Sequence, residues 1–311
     1  MGKFCMKKIY FNRNVRKTPW GGGSQFLTAM VDFLIQHGHK VVHHFENDID
    51  VIFMIDPRYD GDGSLSINEI YDYKLKNPRT KILYRVNECD ARKGTNDIDN
   101  VVMKSMNVSD EVVFISEWLQ QYFIKLGYNK KSHVIYNGCD QSIFKPIEHN
   151  NEKIRLVTHH WSDNWMKGFD IYNQIDQFVT DNNQFEFTYI GRYNSQYRPK
   201  STKLIEPLYG ENLGKELQKC DIYVTASRYE PCGMHHIEGA SCGLPVLYHR
   251  DGGAIVDVCK HHGEMYQDFD DFIQKLKIMS NDIDKYRKKI IYRNLDIEKC
   301  CNEFMNIIDA L

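Results

Sequence analysis

The sequence predicts an α/β protein built from two Rossmann-like, doubly wound domains. Three observations point there. Short apolar runs rich in β-branched and aromatic residues alternate with amphipathic helical patterns. The alternation halts at the polar stretch EHNNEK, residues 148–153, and then restarts. The chain of 311 residues is also about twice a usual domain of roughly 100 to 200 residues. The predicted division is 1–148 and 149–311, with the last helix free to pack back on the first domain.

The elements follow in order. KKIYFN (7–12) reads as a strand, and SQFLTAMVDFLIQHG (24–38) as a helix, because Phe26, Leu27, Met30, Val31 and Leu34 recur at helical spacing and Gly38 suits its end. KVVHHFE, DVIFMID, KILYRV, EVVFIS and SHVIY read as further strands, with a capping box at Ser66 and Glu69 opening the helix INEIYDYKLK. Beyond residue 153, IRLVTHH, FEFTYIG, DIYVTAS and PVLYHR are strands; KGFDIYNQIDQFV, ENLGKELQK and MHHIEGASC are the helices between them. Ile283, Tyr286, Ile290 and Ile291 form an apolar stripe, followed by a run around Phe304 and Ile307. Open sheets of this kind bind ligands beyond the carboxyl ends of their strands, so a central cleft faced by both domains is the expected site.

Composition narrows the function classes. The chain is 42% hydrophobic and 26% charged, with 40 basic against 42 acidic residues. It is therefore globular, with no global field to draw it to nucleic acid or an anionic membrane. No apolar run is long enough for a membrane span, which leaves room only for peripheral membrane contact, and the start MGKFCMKKIYFNRN lacks a signal-peptide core. The nine cysteines are scattered without CxxC spacing. Reduced thiols and a cytoplasmic location are expected. Without GxGxxG or GxxxxGK[ST], neither a nicotinamide enzyme nor a P-loop NTPase is indicated.

The strongest constellation is TASRYEPCGMHHIEGASCGLPVLYHRDGGA, residues 225–254. A strand ends at Ser227, a loop carries Glu230, and a glycine opens the helix bearing Glu238. At such a helix mouth the amides of Cys232, Gly233 and Met234 can meet an anion, with the helix dipole in support. A carboxylate on the second turn can accept hydrogen bonds from a ribose diol, and one in the loop can reach sugar hydroxyls.

These residues carry a resemblance. Glu230 and Glu238, spaced E-x7-E and followed by GASCGLPVLYHRDGGA, resemble the C-terminal signature of family 4 retaining glycosyltransferases, which have the GT-B fold. VIYNGCDQSIFKP (134–146), MKGFD with its Lys-Gly pair, and the glycines at 21–23 agree with the same family in the same order.

The resemblance implies that Glu238 holds the donor ribose. Glu230 and the amides at Gly233 and Met234 would hold the donor sugar. Lys167 would neutralise the diphosphate as its charge develops. Gly22 and Gly23 open a helix where bare backbone can approach phosphate or sugar. Family members carry an arginine five residues before the lysine, where this chain has Ser162; Arg192, or His159 and His160, would be the substitute cation or donor. The loop YRVNECDARKG (84–94) lacks the family's histidine, leaving Asn87 or Asp90 to take that role.

Competing patterns are weaker. RYDGDGSLSINE (58–69) nearly spells a calcium loop, but Arg58 stands where the first ligand belongs. Asp-x-Asp occurs at 48, 60, 97 and 282, too often to single out a metal site, and the histidine pairs show no zinc spacing. The expectation is a metal-independent, retaining hexosyltransferase. It needs no cofactor beyond its nucleotide-sugar co-substrate, and its acceptor is a glycan or other hydroxyl. The alternatives are a nucleotide-sugar hydrolase or epimerase on the same fold, and a non-catalytic nucleotide-sugar-binding protein.

Overall fold

A computed structural model describes residues 6–15, 22–59, 65–148 and 152–311. The chain divides into two compact units, residues 1–136 with Ile297–Leu311, and Asn137–Asp296. The division at 136/137 comes earlier than the 148/149 expected, because residues 137–146 are tied to the second unit. The Asn137 side-chain Nδ2 donates to the Cys232 carbonyl at 2.6 Å, the Cys139 backbone amide to the Leu295 carbonyl at 2.8 Å, and the Gln218 side chain to the Lys145 carbonyl at 2.8 Å.

The first unit holds β1 (Lys8–Phe11), α1 (Gly22–Gln36), β2 (Lys40–Val42), β3 (Val51–Met54), α2 (Ile67–Lys76), β4 (Lys81–Val86), α3 (Asp90–Lys93), α4 (Ile98–Val108), β5 (Glu111–Phe114), α5 (Glu117–Lys125) and β6 (His133–Val134). The strands form one parallel sheet in the order β2-β1-β3-β4-β5-β6. α1 forms where its apolar spacing predicts, and buries Phe26, Leu27, Met30 and Leu34 against Phe11 and Phe53. The chain's last helix, Ile297–Ala310, completes this core: Cys300, Cys301, Phe304 and Ile308 are buried in it, with the Phe26 and Phe304 rings 5.2 Å apart. The capping box at Ser66 and Glu69 is formed.

The second unit holds β7 (Ile154–His160), α6 (Phe169–Asp181), β8 (Phe185–Gly191), β9 (Lys203–Ile205), α7 (Gly210–Leu217), β10 (Ile222–Thr225), α8 (Met234–Ser241), β11 (Val246–His249), α9 (Ala254–Cys259), β12 (Gly263–Tyr266), α10 (Phe269–Asn281) and α11 (Ile283–Arg287). Its parallel sheet runs β12-β11-β10-β7-β8-β9. Numbered from the unit's own first strand this is 3-2-1-4-5-6, the doubly wound order, whose direction reverses between β7 and β10. Ligands enter such folds at that reversal, beyond the strands' carboxyl ends. α11 is shorter than the apolar stripe at 283–291 suggested. It stops at Arg287, so Ile290 is buried but Ile291 is exposed.

Candidate functional site

The strand reversal in the second unit brings together the ends of β7 and β10 and the start of α8. β7 ends in His159 and His160, and β10 leads through Ser227 to Glu230 and then to α8. Adjacent residues of a strand face opposite sides. The His159 imidazole accordingly meets α8, with its Nε2 2.7 Å from Glu238 Oε2, while His160 turns to α6, its Nε2 2.7 Å from the Tyr172 hydroxyl.

The two carboxylates of the E-x7-E pair are both buried, Glu230 to 3% exposure and Glu238 to 2%. Each has a partner of its own. Lys167, at the end of the 3-10 turn Trp165–Lys167, places its Nζ 2.6 Å from Glu230 Oε2. The following Gly168 is what allows this turn to run directly into α6: its φ is 90°, and a β-carbon there would overlap Ala226. An ammonium has three donors, so Lys167 can bridge Glu230 and an anion together. Glu238 is held by His159, while its Oε1 is buried without a hydrogen-bond partner.

The loop carrying Glu230 is fixed by its backbone. The Tyr229 amide donates to the Asp251 carbonyl at 2.8 Å, and the Ala254 amide to the Glu230 carbonyl at 2.9 Å. Tyr229 has a φ of 52°, a left-handed conformation unusual for an aromatic residue. This is the physical role of the RDGGA segment, which pairs with the loop through Gly253 and Glu230. Gly233 is the N-cap of α8; its β-carbon position lies 2.7 Å from His235 Nδ1 and 2.9 Å from Glu230 Cδ. The amides of the first turn, at Met234 and His235, have no carbonyl within the helix to receive them. They open beside the Glu230 and Lys167 pair. Cys232 is buried, and its carbonyl is taken by Asn137.

Burial pushes the imidazoles of His160 and His235 well below their ordinary pKa, with Lys167 adding to the effect in both. Burial likewise lowers His236 to about 3. These rings are neutral. The positive charge in this cluster comes from Lys167 and the helix mouth.

Other predicted residues do different work. Ser162 Oγ accepts from the Asn164 amide at 3.2 Å. Arg192 is exposed beyond β8, its guanidinium 4.4 Å from the centre of the Trp161 ring. In the first unit Asp90 closes a loop: its carboxylate accepts from Thr95 Oγ1 at 2.5 Å and from the amides of Ile98 and Asp99 at 3.1 Å. Burial pushes its carboxyl up, but these bonds outweigh burial and hold it low. Asn87 lines a small pocket with Asp56, Arg58 and Tyr84. Gly22 and Gly23 begin α1, and Gly21 lies outside the described residues. So do residues 60–64 of the near-calcium loop. The remaining Asp-x-Asp pairs are engaged structurally: Asp48 with Lys8, Asp99 with Tyr122, and Asp282 as the cap of α11. Among the described residues no helix is long and apolar enough to cross a membrane, and the eight described cysteines are buried.

Residues 174–295, which run from within α6 past the end of α11, match the family model described as glycosyl transferases group 1. This match, to under half of the chain, is a similarity to group 1 glycosyltransferases. A probable sucrose-phosphate synthase of Thermosipho melanesiensis is 30% identical over 92 residues, which is 28% of this chain and 22% of that protein. The chain thus matches under a quarter of its curated relative. Anabaena HepE, solved in complex with UDP and glucose, superposes with a TM-score of 0.70 at 15% identity, covering 99% of this chain and 100% of that one. The sucrose-phosphate synthase of Thermosynechococcus elongatus gives 0.73 at 12%, covering 97% and 98%. At these identities the superpositions establish the fold, which is GT-B.

The sequence marks both glutamates and Lys167 but not what holds them: His159, expected at the phosphate, is instead the partner of Glu238, and Tyr223 is not marked at all. Strand alternation in IRLVTHH was the available signal, since it puts one histidine of the pair on the side of the Glu238 helix.

Proposed function

We propose that the chain is a retaining glycosyltransferase that moves a hexose from a nucleoside-diphosphate sugar to an acceptor hydroxyl without a metal ion. The observation that carries this reading is the buried Lys167–Glu230 pair beside the mouth of α8, with Glu238 one turn further along. In this reading Lys167 and the α8 amides receive the diphosphate, Glu230 the sugar hydroxyls and Glu238 the ribose. The anomeric carbon's bond to the diphosphate oxygen breaks, and the bond to the acceptor oxygen forms on the same face. The acceptor's proton passes to a diphosphate oxygen. Lys167 and the helix mouth stabilise the charge left on the diphosphate. They do what a bridging metal would otherwise do, which is the ground for metal independence.

The test is a thermal-shift panel of UDP-, GDP- and ADP-sugars with and without chelator, followed by anomeric analysis of the product. Uridine nucleotides come first, because HepE was solved with UDP. A shift that survives chelator, with transfer that keeps the anomeric configuration, supports the proposal; loss of transfer on chelation overturns the metal-free step. Release of free sugar alone would indicate a hydrolase, and binding without turnover a nucleotide-sugar-binding protein.

A further inference from the structure

Glu238 is 2% exposed, yet only one of its carboxylate oxygens is satisfied. Oε2 lies 2.7 Å from His159 Nε2; Oε1 is buried with no partner. A buried carboxylate oxygen without a donor is costly, and such an atom persists where a ligand completes it. The imidazole opposite is itself fixed. Its Nδ1 is 3.1 Å from the Tyr223 hydroxyl, which also accepts the His159 amide hydrogen at 3.1 Å. With that amide as donor, the hydroxyl proton is left for Nδ1 at 3.1 Å or for the His159 carbonyl at 3.4 Å. Nε2, facing a carboxylate oxygen that can only accept, is then the nitrogen that carries the hydrogen toward Glu238. Tyr223 is held in turn by Gly239, the residue after Glu238, which lies against its ring.

From this chain of contacts we infer that His159, oriented by Tyr223, is a positioning residue for Glu238: it pins Oε2 so that Oε1 is presented to a vicinal hydroxyl of the ligand. The inference rests on the reading of Glu238 as the group that meets the donor ribose, and deepens it. A carboxylate held at one oxygen cannot rotate away, so less ordering is lost when the ribose arrives. His159 itself need not touch the ligand. Its effect should therefore appear in how strongly the protein distinguishes a ribose from a sugar lacking those hydroxyls, while contacts to base and diphosphate stay as they are.

The experiment measures, by calorimetry, the affinities of UDP, GDP and ADP and of their 2′,3′-dideoxy counterparts for the full chain. The variants are His159→Leu, His159→Gln, Tyr223→Phe and Glu238→Ala. In the unsubstituted protein the ribose form of the bound nucleotide should win. In His159→Leu that preference should fall about tenfold, the value of one hydrogen bond to a charged group. His159→Gln, whose amide can replace the Nε2 hydrogen, should restore much of it. Tyr223→Phe removes one oxygen and little volume, and should lower the preference even if the leucine variant does not fold. An unchanged preference in both His159→Leu and Tyr223→Phe, with loss in Glu238→Ala, overturns the positioning role alone. An unchanged preference in Glu238→Ala overturns the ribose reading and this inference with it.

Discussion

The backbone of Gly239 lies flat against the ring of Tyr223: a β-carbon there would overlap Cγ and Cδ2 and come to 3.0 Å from Cε2. That contact seats α8 on β10 and sets the height of Glu238 above the sheet. Because the ring is fully buried, it cannot move aside at little cost. Gly239→Ala should therefore destabilise the chain by about 1 to 3 kcal/mol, as overpacking does. A melting curve unchanged from the unsubstituted protein would show that the ring yields.

The Lys167–Glu230 pair is almost wholly removed from water, with side-chain exposures of 11% and 5%. Lys167→Met should cost about 3 to 5 kcal/mol, because it takes the ammonium away from a buried carboxylate. Adding Glu230→Gln removes the buried charge and should recover much of the melting temperature. Sugar–phosphate cleavage in a single turnover should remain slow in the double variant, since the cation is still missing. A normal rate would take Lys167 out of the mechanism.

Glu238 and Glu230 should separate kinetically. Glu238→Ala should weaken donor binding by about 1 to 3 kcal/mol, the range for hydrogen bonds to a charged group. Glu230→Ala should cost turnover more than binding. Donor affinity and kcat measured for both variants decide the matter, and small equal effects would remove the site assignment.

Acid should destabilise the second unit in a defined window. Burial lowers His236 from 6.5 to about 3 and His262 to about 4, and His160 and His235 lie well below the ordinary value. The unfolded chain binds protons at these positions from about pH 6.5 downward while the folded chain does not. Stability is thus full above pH 6.5 and falls as pH drops toward 3. Melting temperatures across pH 8 to 4 should be level at first and then decline. His236→Leu, which removes a ring with two unpartnered nitrogens, should reduce the slope. A flat profile in the unsubstituted chain would show that these rings accept protons when folded.

Much of the fold is legible in the sequence because strand and helix periods are local. IRLVTHH, FEFTYIG and DIYVTAS are strands as read, and α1 buries the apolar positions its spacing marks. The apolar stripe around Phe304 was visible too, but the surface that receives it was not. That helix meets Phe26 and Phe53, near the other end of the chain, and contacts at such separation leave no local period. The stripe at 283–291 misled for the opposite reason: a regular pattern continues in sequence after the helix itself has stopped at Arg287.

The same division holds at the site. By itself the sequence determined the two-domain α/β class and the residues whose chemistry suits a nucleoside-diphosphate sugar: Glu230, Glu238, Lys167 and the glycine opening α8. Spacing along one loop and one helix is enough to place the two glutamates and the glycine, whereas Lys167 is marked by the resemblance of its Lys-Gly pair to the family. Only the tertiary structure decided their partners. Lys167 reaches Glu230 across 63 positions and His159 reaches Glu238 across 79; pairing over such distances is set by the order of strands in the sheet. Asp90, acidic and well placed in sequence, instead spends its oxygens within its own loop, on Thr95, Ile98 and Asp99, a closure that its residue type alone does not show. A carboxylate's type is written in the chain, whereas the donors that occupy it depend on which segments folding brings within hydrogen-bond reach.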